Sequence, residues 1–190
     1  MTLFELIFGL TAIILGLALT NIAASLHRLA LAGRRVLWAP EPLLLTLLVT
    51  MIIVFVWIAN WYNRDLTSIG AGRALLDVAR MMALYFAAAS CLPEPDKLPD
   101  EGLDLATYYY DTRALSYGAL MVGLVLFQIY FAIDNPRFDW LNSLAQAALI
   151  ALYGSMIFIR ARWYHLLVLT AVIVMFGIQI FATVLTQAPR

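Results

Sequence analysis

Long apolar runs alternate with short polar breaks along this chain, at the spacing that a lipid bilayer imposes. A helix needs about 20 mostly apolar residues to cross the hydrocarbon layer. Leu6 to Leu26 carries no charge, and neither does Leu43 to Tyr62 behind Pro40 and Pro42. Ala114 to Ile133, Trp140 to Ile159 and Leu166 to Thr186 are three further uncharged runs. Arg73 to Leu92 has the right length but contains Asp77 and Arg80, so on its own it reads equally as a surface helix. The turn signal Asp134-Asn135-Pro136 separates the fourth and fifth runs, and Arg160-Ala161-Arg162 makes a tight link between the fifth and sixth. The pattern predicts an all-α integral membrane bundle of six transmembrane helices in one domain over 1–190. The expected spans are 3–31, 42–62, 72–92, 113–134, 138–160 and 163–186.

Charge favours counting the doubtful run as a span. Lys and Arg concentrate in cytoplasmic loops. The first connection carries Arg28, Arg34 and Arg35, and the last carries Arg160 and Arg162. Both lie inside only if an even number of spans separates them, and counting 72–92 gives four. The expected orientation is therefore N-out/C-out. It places a loop over 93–112 in the cytoplasm, with Glu94, Asp96, Asp100, Glu101, Asp104 and Asp111. Acidic residues weigh little in orientation. Pro93, Pro95 and Pro99 argue for an irregular start to that loop. Tyr108, Tyr109 and Tyr110, with Trp38, Trp140 and Trp163, suit the aromatic belts at the two interfaces. Met1 to Phe4 lacks a basic n-region, so the first run is expected to stay as a span.

Composition agrees with the pattern. Of 190 residues, 64% are hydrophobic and 13% charged, with a mean hydropathy of +0.88. A soluble chain carries roughly 25% charged residues. The formal net charge is zero, which removes the electrostatic case for nucleic acid. A single cysteine, Cys91, excludes an intrachain disulfide framework and a Cys-based metal site.

Between helices in lipid, close packing of small residues matters more than hydrophobicity. Three ridges at four-residue spacing supply it: Ala12, Gly16, Thr20 and Ala24; Ala79, Ala83, Ala87 and Cys91; Ser143, Ala147, Ala151 and Ser155. They pack the monomer, or one of them is left for a homo-oligomer.

Ionisable residues within a span invite a functional reading. An outer group gathers Arg73, Asp77 and Arg80, spaced to pair along one helix, with Gln128, Gln146 and Gln179 at similar depth. Asn60 and Glu5 lie close to that level. Such polar groups suit a small pocket, and equally suit an ion pair and amide bonds that only fix packing. An inner group gathers His27, Arg28, Arg34, Arg35, Arg160, Arg162 and His165 at the cytoplasmic end. Interfacial snorkelling and anionic-lipid binding are its ordinary roles. Haem ligation by His27 and His165 is a remoter option, because axial histidines usually lie deeper than helix ends. No other cofactor and no metal site is expected. There is no Thr-Val-Gly-Tyr-Gly filter, Walker sequence, His-Glu-x-x-His helix or Cys-x-x-Cys pair. Nothing singles out a catalytic residue, which leans away from an enzyme.

Four N-terminal segments carry a resemblance: Phe4-Glu5-Leu6, Gly16 to Thr20, Ser25 to Leu29 with its His27-Arg28 pair, and Gly33 to Val36. Over the first third, they resemble small polytopic bacterial inner-membrane proteins of unassigned function. The resemblance implies a bacterial inner membrane and transfers no activity. Three functional expectations stand: a small transporter or channel with a polar pocket in its outer half, a non-enzymatic accessory subunit, and a haem or metal redox protein.

Overall fold

A computed structural model describes residues 3–62, 70–94, 102–134 and 140–186. Asn135, Pro136, Pro95, Asp96, Pro99, Asp100 and Glu101, which figure in the expected turn and loop, lie outside the described residues. The described residues form six helices: α1 (Leu3–Ala32), α2 (Pro40–Tyr62), α3 (Ala71–Cys91), α4 (Leu105–Asp134), α5 (Trp140–Phe158) and α6 (Arg162–Thr186). Two short strands, β1 (Val36–Leu37) and β2 (Leu103–Asp104), pair in parallel. Five helices (α1, α2, α3, α4 and α6) are long and apolar enough to cross a membrane, and the apolar run of α5, Ser143–Phe158, is shorter. Large apolar side chains stand exposed around the bundle, among them Leu17, Leu47, Phe86, Leu144 and Ile178. A surface of that kind suits lipid.

α3 and α4 form the closest pair, and α1 covers α3. The α3 ridge makes this approach. Ala83, Ala87 and Cys91 are buried, and a side-chain carbon at Gly123 of α4 would come within 3.9 Å of Ala83. The other two ridges face outward in part: Gly16 and Thr20 of α1 are exposed, as are Ala147 and Ala151 of α5. α2 lies centrally, with Leu45, Leu48, Val49 and Ile53 fully buried. α5 packs on α4 and α6 on α2, while α5 and α6 touch each other little.

The loop expected over 93–112 is helical from Leu105 on, so α4 starts eight residues before the expected boundary of its span. Asp104 caps it: its Oδ1 accepts from the Ala106 amide at 2.9 Å and its Oδ2 from the Thr107 hydroxyl at 2.8 Å. These bonds, the Thr107 one first, hold the exposed Asp104 carboxyl below its usual range. Polar residues that look like loop are here the first turns of a helix.

β1 and β2 tie the first connection to the start of α4 (Val36 opposite Leu103, Leu37 opposite Asp104). Gly102 makes this possible. Its φ is +100°, and a side-chain carbon there would lie 3.0 Å from the Arg35 carbonyl oxygen. Gly102→Ala is expected to cost about 1–3 kcal/mol through backbone strain. Gly118→Ala, inside α4 with nothing within 4 Å, is the control and should be neutral or stabilising. Unfolding in mixed micelles distinguishes them.

Candidate functional site

One end of the bundle is clamped by polar contacts. The Arg113 Nε of α4 donates to the Ile157 carbonyl of α5 at 3.0 Å, and its Nη1 donates to the Tyr110 carbonyl. Ser155 of α5 meets the Tyr164 hydroxyl of α6 at 2.6 Å. The Tyr108 hydroxyl donates to the Leu92 carbonyl at 2.9 Å. Glu41, in the first turn of α2, is fully buried and holds the Arg162 Nε of α6 at 2.5 Å, while Arg162 itself is 63% exposed. This end gathers the first connection, the segment before α4 and the α5–α6 turn.

His165 is the hub. It is fully buried, with its Nε2 2.8 Å from the Ile159 carbonyl and its Nδ1 2.6 Å from the Tyr109 hydroxyl. A carbonyl only accepts, so Nε2 carries a proton. In the neutral ring Nδ1 then accepts, and Tyr109 must donate to it. The Tyr117 hydroxyl lies 2.7 Å from Tyr109 and therefore donates in turn. The result is a directed chain from Tyr117 through Tyr109 and His165 to the α5–α6 turn. Tyr109 belongs to this buried chain rather than to an aromatic belt.

The two histidines expected as a pair occupy different environments. His27 is exposed near the end of α1, and an iron at either His165 nitrogen would have to displace an existing hydrogen bond. Arg28, Arg34, Arg35, Arg160 and Arg162 are also exposed. Among the described residues no group of three or more His, Cys, Asp or Glu side chains could hold a metal ion.

Toward the other end the helices separate around a partly open cavity of about 320 Å³. It is lined from five helices. Asn60 of α2, Arg80 of α3, Tyr130 of α4, Gln146 and Tyr153 of α5, and Gln179 of α6 supply its polar groups. Apolar walls come from residues such as Phe55, Leu84, Leu124, Phe127 and Phe176. The small contact between α5 and α6 leaves this space, because each leans on a different neighbour.

The outer group distributes around the cavity as follows. Arg80, Gln146 and Gln179 line it; Arg73, Asp77 and Gln128 do not. Asp77 holds the Arg80 Nη2 at 2.6 Å, with the two side chains 13% and 14% exposed. The Arg80 guanidinium also lies 5.5 Å from the ring centres of Phe127 and Tyr130. Arg73 stacks on Tyr130 at 5.1 Å and donates to its hydroxyl at 3.3 Å. Two buried atoms of the lining lack a partner: the Nε of Arg80 and the Oε1 of Gln146.

The sequence reading missed Tyr109, Tyr117, Arg113 and Glu41 as working polar groups. Arg113 and Glu41 carried a signal, since each is a charged residue at the edge of an apolar run. Tyr117 carried none, because a tyrosine at a span end reads as interfacial. No protein-family model, no curated protein and no solved structure matches the chain.

Proposed function

We propose that the protein is a small multi-pass membrane carrier that takes a ligand into the cavity between α2, α3, α4, α5 and α6. The observation that carries this reading is the lining: polar groups from five helices converge on one cavity in a chain otherwise faced for lipid. A cavity with apolar walls and a few placed polar groups is the usual form of a small-molecule site. The contrast along the bundle supports a carrier. One end is tied by hydrogen bonds, and the other has space into which α5 and α6 can move.

The reading takes α5 as a sixth span, with both termini outside. At about 1.5 Å per residue, its 19 residues cover roughly 28 Å, close to the hydrocarbon thickness of about 30 Å. Six alternating spans also bring all five arginines of the inner group to one end, where they suit a cytoplasmic leaflet of anionic lipid in a bacterial inner membrane.

Cysteine labelling tests both parts in a Cys91→Ala background, using an impermeant maleimide on oriented vesicles. Leu37→Cys and Ile159→Cys are expected to label from the same, cytoplasmic side. Labelling from opposite sides would reduce the spans to five. Leu120→Cys, at the cavity wall, is expected to label from either side, as alternating access requires. Labelling from neither side would sink the carrier.

A second reading has its own observation. The ridges on α1 and α5 present Gly16, Thr20, Ala147 and Ala151 outward, which suits a helix of another copy or of a larger complex. In that reading the protein is an accessory subunit, and it would elute as an assembly from mild detergent.

A further inference from the structure

We infer that the cavity opens sideways into the bilayer between α5 and α6, and that it takes a membrane-dissolved, single-chain amphiphile through that window. This names a substrate class for the carrier and rests on that reading. The five lining helices stand around the cavity as a ring. α2 packs on α3, α3 on α4, α4 on α5, and α6 on α2. Among the described residues, α5 and α6 are the neighbours in this ring that scarcely meet. The Ser155–Tyr164 bond at 2.6 Å closes their seam at the clamped end. Beyond that bond both helices supply cavity wall: Gln146 and Leu149 from α5, Met175 and Gln179 from α6. Met175, 49% exposed, and Gln179, also exposed, thus stand on the rim of the window.

Depth decides what meets the window. Met175 lies at the middle of α6, where a spanning helix is surrounded by hydrocarbon. Leu144 of α5 and Ile178 and Phe181 of α6 are exposed apolar side chains on the same two helices. An apolar wall offers water few partners. A void also deprives its lining of dispersion contacts. A chain from the bilayer restores those contacts and leaves one apolar medium for another. The lining matches the two ends of an amphiphile. Asn60, Tyr130 and Gln179 lie in the last two turns of α2, α4 and α6, and Gln146 in the first two turns of α5. All four are toward the end away from the clamp, where a polar head belongs. Leu84, Leu120, Leu124 and Val172, nearer mid-helix, give the chain an apolar bed. Arg80, at similar depth, is held by Asp77 at 2.6 Å. A volume of about 320 Å³ lies at the small end of ligand sites, which run from roughly 300 to 1,000 Å³, and suits one chain rather than the two of a bilayer lipid.

The test uses the full chain in phospholipid nanodiscs, with dodecanoic acid carrying a diazirine at its chain end. After irradiation, adducts are mapped by digestion and mass spectrometry. α4 contains its own control, since Leu124 lines the cavity while Val122 and Val125 are exposed and off the lining. Adducts on Leu124 are expected, and unlabelled dodecanoic acid should displace them. Adducts on Val122 and Val125 should not be displaced. Met175→Trp, on the rim, should lower the Leu124 adducts about tenfold, as a bulky side chain forced into a fitted space would. Val174→Trp, exposed beside it and off the lining, should leave them unchanged. Adducts confined to the outward residues would overturn the window. Leu124 adducts that unlabelled acid does not displace would overturn the single-chain class, because bulk lipid then fills the space. If Met175→Trp fails to fold, the contrast between Leu124 and Val125 on the unaltered chain still decides. Leu120→Cys judges the carrier separately. Displaceable Leu124 adducts with no Leu120→Cys labelling from either side would keep the lipid site and remove the carrier. Labelling from both sides without Leu124 adducts would keep the carrier and overturn lipid entry.

Discussion

Replacing Asp77 by Asn is expected to destabilise the protein by about 3–5 kcal/mol, because it strands a buried guanidinium. Arg80 is the tenth of the 21 residues of α3 and only 14% exposed, so it cannot simply turn to water. Its remaining neighbours are the faces of Phe127 and Tyr130. A cation over a ring yields about 0.5–2 kcal/mol, less than a carboxylate at 2.6 Å in the same surroundings. Insertion costs for an arginine at mid-helix run to about 2.5–3.5 kcal/mol, which agrees in size. Arg80→Gln in the Asp77→Asn background should recover most of the loss, since two neutral groups leave no buried charge. The double variant is thus expected to be more stable than Asp77→Asn alone. Denaturant unfolding in mixed micelles measures all of these. A loss below about 1 kcal/mol for Asp77→Asn would mean a hydrated pair of the surface kind, and α3 would then lie at the membrane face.

That outcome also bears on how much the sequence discloses. Asp77 and Arg80 are three apart, and helical geometry makes such residues neighbours whatever the fold, so their pairing is legible from spacing alone. The all-helical architecture is equally legible, because a bilayer forces backbone polar groups to be met within each apolar run. The α3 ridge reads correctly as packing for the same local reason. What spacing does not hold is which faces of different helices meet. Gln128, Gln146 and Gln179 look equivalent by depth, yet only Gln146 and Gln179 line the cavity. Rotation about each helix axis decides that, and it follows from packing across the whole bundle. The start of α4 is hidden for another reason. Its first turns are polar, and the Asp104 cap and the Tyr108–Leu92 bond hold them. A rule that seeks apolar runs discards them.

The buried tyrosines lie beyond any such rule, and they supply the second large effect. Tyr109→Phe is expected to cost about 2 kcal/mol. The change removes one oxygen and keeps the ring that packs edge-on against Tyr110, Tyr117 and His165. That one oxygen serves two partners. Without it, His165 Nδ1 loses its donor and the Tyr117 hydroxyl its acceptor, and both residues are fully buried. A single interhelical bond in lipid averages only about 0.6 kcal/mol. Leaving a buried group unmet costs about 1–3 kcal/mol, and two are left here, which places the expectation well above the single-bond value. Tyr117→Phe removes only the terminal donor and should cost less than half as much, because Tyr109 still donates to His165. This asymmetry follows from the direction of the chain, fixed by the Ile159 carbonyl at its far end. A loss for Tyr117→Phe equal to or greater than that for Tyr109→Phe would mean that the Tyr109 hydroxyl does not bridge the other two groups.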